Sequence, residues 1–304
     1  MADTAVASRV RLSRPSGPSP RRRGRRTLVF TVPTILSIVV LGLYPLLFIL
    51  AAAFSDSTLG RPFQEWVGAA NLESILTDAD IVASFVRTVL YAVVVAVASV
   101  VLGVIVAVAL ERSTRSGAVV RTLLLLPLIT PPVVVGTLWK LVFNPGGGLL
   151  ATLLPGVSVA PLSSTAWALP AIALADVWQW TPLIVILVYA ALLTQDPAVR
   201  EAAALDGAHG LSLFRHITWP AIATTVAAAF LIRLVVALKV FDLVFVMTSG
   251  GPGQASTTTS YLIQQVALKE FDIGRASAIT LVFAVIVTLV TLPVAALARK
   301  ARHD

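Results

Sequence analysis

Six long apolar runs constrain this chain more than any other feature: Leu28–Phe54, Phe85–Leu110, Val119–Val142, Trp167–Leu193, Trp219–Met247 and Ala276–Ala298. A helix that crosses a bilayer needs about 20 mostly apolar residues, and each run supplies that length. Inside lipid every backbone N–H and C=O must be satisfied within the chain, so the runs are expected to be helices. The expected fold is therefore an all-α polytopic membrane protein. A six-helix transmembrane domain occupies residues 28–298, with a disordered basic tail at 1–27 and a short tail at 299–304. Composition agrees: 57% of the 304 residues are hydrophobic and 12% are charged, against about a quarter charged in soluble domains. The absence of cysteine removes disulfides, thiolate metal sites and thiol nucleophiles. The net charge of +8 lies in clusters that flank the apolar runs, which fits a lipid bilayer as partner and not a nucleic acid.

The basic residues also give an orientation. Arg9, Arg11, Arg14, Arg21, Arg22, Arg23, Arg25 and Arg26 precede the first run. Arg112, Arg115 and Arg121 follow the second, Arg200 and Arg215 follow the fourth, and Arg299, Lys300 and Arg302 follow the sixth. The alternate loops and their flanks hold only Arg61, Arg87, Lys140, Lys269 and Arg275. Positive charge collects in cytoplasmic loops, so both termini are expected in the cytoplasm, in agreement with an even number of spans, which puts them on one side. The Arg-rich start and Ala51-Ala52-Ala53 imitate a signal peptide, but the apolar run is much longer than the 7–15 residues of a signal core. Pro127, Pro131, Pro132 and Gly136 interrupt the third run, and Pro170 and Pro182 the fourth. Such breaks either kink a helix or leave polar backbone lining a pathway.

The loop at 194–218 is the most informative polar segment. Asp196 suits an N-cap and Pro197 the first helical position. Val199 to Leu205 is alanine-rich and favours helix. Gly207 can take the left-handed conformation that stops it. Leu211, Leu213, Phe214 and Ile217 form a second apolar stripe before Trp219-Pro220. Two short helices at a sharp turn are expected, on the cytoplasmic face. Ala202, Ala203, Ala204 and Ala208 permit close approach by another surface, Glu201 and Asp206 place charges near its ends, and Leu205, Leu213 and Phe214 offer an apolar anchor. That composition suits a helix docked in a groove. A connector lying on lipid would carry more lysine and bulkier apolar residues.

Glu201-Ala202-Ala203-x-x-Asp206-Gly207-Ala208, followed by Phe214, Ile217 and Pro220, resembles the EAA motif of binding-protein-dependent ABC importer permeases. The Thr248–Gly253 segment with Thr257, Thr258, Thr259 and Tyr261 resembles the MalF-type (sugar) permeases. So do Trp178-Gln179-Trp180-Thr181-Pro182 and Phe143–Leu150. One departure is Ala151, where that group usually has Asn. The resemblance implies the type I ABC importer permease fold and a multi-pass place in the bacterial inner membrane. It implies that Glu201, Ala202, Ala203, Leu205, Asp206, Gly207, Ala208 and Phe214 couple to an ATPase. The partners it implies are a second homologous permease, two cytoplasmic ATPase subunits and an extracytoplasmic binding protein. ATP and Mg would sit on the ATPases, and this chain would bind no cofactor. Nothing in the sequence matches G-x-x-x-x-G-K-[ST], the phosphate-cradling loop. Expected cargo is an oligosaccharide or disaccharide, with glycerol phosphate or a sugar alcohol as the alternative.

Asp176, Arg233, Lys239 and Asp242 fall within or near the ends of apolar runs. Charges there are costly and face a bundle interior, a cavity or a partner. Lys239 and Asp242 have the spacing of an ion pair on one helix face. Trp178, Gln179, Trp180, Arg233, Lys239 and Asp242 are candidates for the substrate path, since sugars bind polar groups and aromatic faces. Tryptophans in such helices also serve as interfacial anchors. Asp56, Glu65, Glu73, Asp78 and Asp80 make an acidic outer loop, solvated or facing a binding protein. Two remote alternatives are a secondary transporter and a membrane enzyme. The latter would need a base near a nucleophile, and His209, His216 and His303 lie in expected cytoplasmic segments, leaving only a Ser–Lys dyad through Lys239.

Overall fold

A computed structural model describes residues 31–111, 117–153 and 160–300 of the chain. The expected tail at 1–27 and residues 301–304 lie outside the described residues. The chain divides into two units, Met1–Phe48 and Ile49–Asp304.

Helix α1 (Thr31–Ala53) begins the described chain. Its Val39–Leu43 turn is a π-helix, and the Tyr44 N–H reaches back to the Val39 carbonyl. The next residue, Pro45, has no N–H to offer, and widening the turn before it accommodates the missing donor. A hairpin follows, of β1 (Ser55–Thr58) and β2 (Arg61–Trp66). It pairs Ser55 with Trp66 and Asp56 with Glu65. Then come α2 (Ala70–Thr77), α3 (Ala79–Glu111), α4 (Gly117–Ile129), α5 (Pro132–Val142) and α6 (Leu149–Leu153). The remainder is α7 (Ala168–Leu193), α8 (Pro197–Leu205), α9 (Gly210–Leu238), α10 (Asp242–Met247), α11 (Thr259–Leu268) and α12 (Ile273–Lys300). Among the described residues five helices are long and apolar enough to span a membrane, and the bent pair α4–α5 supplies the sixth.

The packing centre is α3 against α7, with α9 across both. Helix α3 buries Ala92, Ala96, Ser99, Gly103 and Ala107, a stripe of small residues at helical spacing. Small residues let backbones approach closely, which drives helix association in lipid where apolar burial gains little. Gly103 shows the limit: a Cβ there would stand 2.6 Å from the Cβ of Ile184 on α7.

The third span is sharply broken. Helices α4 and α5 meet at 102°. Pro131 is extended, with φ −57° and ψ 140°, as a residue before proline must be. The break frees the Thr130 carbonyl, which accepts a 3.1 Å hydrogen bond from Gln179 Nε2 on α7. A neighbouring helix thus satisfies backbone that the kink exposes.

The fifth span departs from expectation at both ends. The second short helix of the 194–218 loop does not stand apart, because α9 runs on from Gly210 to Leu238. The turn at Phe214–Thr218 is again a π-helix, directly before Trp219-Pro220, and repeats the arrangement at Tyr44-Pro45. At its far end α9 stops at Leu238, where the Lys239 N–H folds back to the Val236 carbonyl. Thr258 Oγ1 donates to the freed Val240 carbonyl at 3.1 Å. Lys239 is exposed on the connector and Asp242 opens α10, so the expected pair on one helix face is corrected. Hydropathy alone carries the run through to Met247, whereas the side chain of Thr258 supports a break.

A polar cap closes the end of the bundle opposite Glu111. Thr58 bridges Asp272, and the Leu59 N–H donates to the Phe271 carbonyl, tying the hairpin to the start of α12. Arg275 pairs with Asp78 at 2.5 Å. Gln254 donates to Asp80, Arg87 to the Thr257 carbonyl, and the Thr259 N–H to the Thr88 hydroxyl. Two residues of the expected acidic outer loop, Asp78 and Asp80, are therefore engaged within the chain.

Candidate functional site

The protruding loop is organised by local chemistry. Asp196 is the N-cap of α8, and its carboxylate accepts from the Ala198 N–H at 2.9 Å. Pro197 follows at the first helical position. At the other end Gly207 has φ +80°, a left-handed conformation that favours glycine. The Ala208 N–H bonds the Ala203 carbonyl at 2.9 Å and the Gly207 N–H bonds the Ala204 carbonyl at 3.1 Å. These two bonds are the paired closure of a Schellman stop.

The stop leaves one face of α8 bare. Glu201, Ala202, Ala204, Leu205 and Asp206 are exposed, while Ala203 is buried and Ala208 half-buried. Leu205 is 90% exposed, so it is presented outward and not packed against its own chain. Phe214 does the reverse: it packs on the bundle and lies 6.1 Å from the Trp219 ring. Arg200 forms a two-point ion pair with Glu111, the last described residue of α3.

A second polar constellation lies deep between α3, α7 and α9. Arg233 is 0% exposed. Its Nη2 stands 3.0 Å from Asp176 Oδ2, an ion pair whose angle falls short of a good hydrogen bond. Its Nε donates to Ser99 Oγ at 3.1 Å. Tyr91 donates its hydroxyl to the same Asp176 oxygen at 2.8 Å. The guanidinium carbon lies 5.9 Å from the Trp180 ring centroid, within cation–π reach. Nη1 has no hydrogen-bond partner among the described residues.

A cleft of about 650 Å³ opens between α3, α4, α5 and α7. Pro127, Trp139, Trp178, Thr181 and Pro182 line it, and among the described residues no charged side chain does. The Trp139 and Trp178 rings meet edge to face at 6.0 Å. Consecutive residues of α7 thus face three ways: Trp178 the cleft, Gln179 the kink, Trp180 the buried guanidinium.

Residues 99–303 match the family model described as the binding-protein-dependent transport system inner membrane component. The chain belongs to this family. It is a multi-pass inner-membrane transport component and not an enzyme. The chain is 32% identical over 238 residues to the trehalose/maltose transport system permease protein MalF of Thermococcus litoralis, covering 77% of this chain and 81% of the relative. It is 29% identical over 229 residues to the sn-glycerol-3-phosphate transport system permease protein UgpA of Agrobacterium fabrum, covering 74% and 78%. The fold matches a chain of a bacterial ABC transporter that imports the acidic polysaccharide alginate. That match has a TM-score of 0.81 at 21% identity, covering 92% of this chain and 96% of that one.

In this permease most of the expected coupling residues lie on α8 or at its stop, with Ala203 buried there, while Phe214 lies apart on α9 and packs on the bundle. Glu201, Ala202, Leu205 and Asp206 share the open surface of α8, and Gly207 and Ala208 close it. The path candidates do not converge. Trp178 borders the cleft, Gln179, Trp180 and Arg233 are engaged inside the bundle, and Lys239 and Asp242 lie past the end of α9. Sequence reasoning missed the Arg233–Asp176 pair, the Arg200–Glu111 pair and the placing of Trp139 against Trp178. These join residues far apart in the chain, and no local spacing signals them.

Proposed function

We propose that this permease forms half of the translocation path of an ATP-driven carbohydrate importer, with loop 194–218 seated in a groove of a cytoplasmic ATPase. The observation that carries the reading is the capped helix α8, which holds Glu201, Asp206 and the 90% exposed Leu205 outward on a fixed base. An exposed leucine beside alanines and two carboxylates suits a complementary groove. The reading places both termini in the cytoplasm, pairs the chain with a second homologous permease, and assigns ATP and Mg to two separate ATPase subunits. A binding protein would deliver cargo at the opposite end. Alternating access would follow from drawing two such loops together.

A neutral oligosaccharide or disaccharide is the cargo favoured here. The MalF relative is named for trehalose and maltose, and a charge-free cleft with Trp139 and Trp178 offers aromatic faces on which a sugar ring can stack. Glycerol phosphate is the second reading, supported by the name of the UgpA relative. The deciding experiment is mild-detergent purification of the complex, followed by a ligand screen on its binding protein with maltose, trehalose and sn-glycerol 3-phosphate. The reading expects ATPase subunits to copurify and a sugar to bind. Purification without an ATPase removes it, and binding of glycerol phosphate alone shifts the cargo.

Trp178→Ala tests the cleft. If Trp178 stacks on the cargo, its loss is expected to raise the half-saturating cargo concentration for uptake about tenfold, the equivalent of one good aromatic contact. Unchanged saturation would move the path elsewhere.

A further inference from the structure

Force applied to α8 must reach the spans by some contact. Helix α8 packs against the start of α9, the segment that follows it in the chain. Its connections on both sides are short: Thr194 to Asp196 before it, and the left-handed Gly207 with its neighbours after it. Among the described residues, the Arg200 side chain bridges to a different span. Arg200 points both terminal nitrogens at Glu111, Nη1 at Oε1 and Nη2 at Oε2, the latter at 3.1 Å. The two residues are 89 positions apart, and their side chains are only 25% and 13% exposed.

Glu111 is the last described residue of α3. A partly shielded carboxylate there gains from the guanidinium it faces. A two-point fork fixes orientation as well as distance, which a single ammonium does not. Helix α3 is 33 residues long and packs along both α7 and α9. A displacement of its end moves a large part of the bundle.

We propose that the Arg200–Glu111 pair is the positioning link that delivers movement of the docking loop to α3. The proposal rests on the reading of loop 194–218 as the ATPase-docking element. Arg200 adjoins the exposed Glu201 in sequence, but its guanidinium is committed to Glu111. It is therefore assigned no contact with the ATPase, and its role is to hold α8 to the span.

The chain has no cysteine, so a single introduced thiol is its only labelling site and is read on the separated permease subunit. Leu102 on α3 faces the cleft, and the probe is the rate at which Leu102→Cys reacts with a water-soluble maleimide. The assembled complex with its ATPases is compared with and without ATP and Mg²⁺. The nucleotide-dependent change is expected to shrink about fivefold or more in Glu111→Arg and in Arg200→Glu, a typical size for loss of coupling between sites. The double swap is expected to restore it, and Arg200→Lys, which keeps the charge but not the fork, to restore only part. A change of wild-type size in either single variant, or no recovery in the swap, overturns the link while leaving the docking reading in place. Absence of ATPase from the complex of the unsubstituted chain overturns the docking reading, and the link with it.

Discussion

Asp176→Leu is expected to destabilise the folded bundle by about 3–5 kcal/mol, the usual cost of breaking a buried ion pair by removing one partner. The size follows from what is left behind. Arg233 is 0% exposed, and without Asp176 its guanidinium keeps one hydrogen bond among the described residues, to Ser99. The Tyr91 hydroxyl loses its acceptor as well. Tyr91→Phe removes only one donor and leaves the ion pair intact, so its cost is expected near ~1 kcal/mol. The paired replacement Asp176→Leu with Arg233→Met removes both charges together and is expected to recover most of the loss, because apolar substitutes for a buried pair are often neutral or better. Unfolding of the purified chain in mixed micelles, followed by tryptophan fluorescence, ranks the three variants. An Asp176→Leu chain as stable as the unsubstituted one would mean that Arg233 reaches water or another acceptor.

That pair also marks the boundary of what the sequence discloses. The spans are legible because bilayer thickness imposes a length on any crossing helix. The ends of α8 are legible because Asp196, Pro197 and Gly207 act on backbone within a few residues of themselves. Pro131-Pro132 announces a break in the third span, but the 102° bend depends on Gln179 from another helix. The end of the fifth span at Leu238 is hidden for a related reason. Nothing within the run stops a helix there, and the support for the break comes from Thr258 beyond it. The hairpin at Ser55–Trp66 is short and polar, and it is held by Phe271 and Asp272 from the far end of the chain. In each case the local pattern is correct about propensity, and a distant partner decides the outcome.

Glu201→Lys and Gly207→Arg are expected to abolish ATP-dependent uptake while the chain still inserts and folds. The two substitutions act on different properties of one surface. Glu201 is exposed, so reversing its charge leaves the bundle packing untouched and alters only what a partner meets. A charge set against its like across an interface costs several kcal/mol, enough to weaken docking about 100-fold. Gly207 has open space around it, with nothing within 4 Å of an added Cβ. Its cost is conformational, because at φ +80° an L side chain strains the backbone by about 1–2 kcal/mol. Gly207→Ala isolates that strain and is expected to transport at an intermediate level. Gly207→Arg adds a long cation beside the docking face, so it is expected to transport less than Gly207→Ala. Uptake in proteoliposomes, read beside copurification of the ATPase, separates the two effects. Normal uptake by Glu201→Lys would detach α8 from the ATPase, however well its cap and its stop are formed. Equal uptake by the alanine and arginine variants at Gly207 would place the whole effect in the turn, making the geometry of the Schellman stop, and not the surface it presents, the property that transport requires.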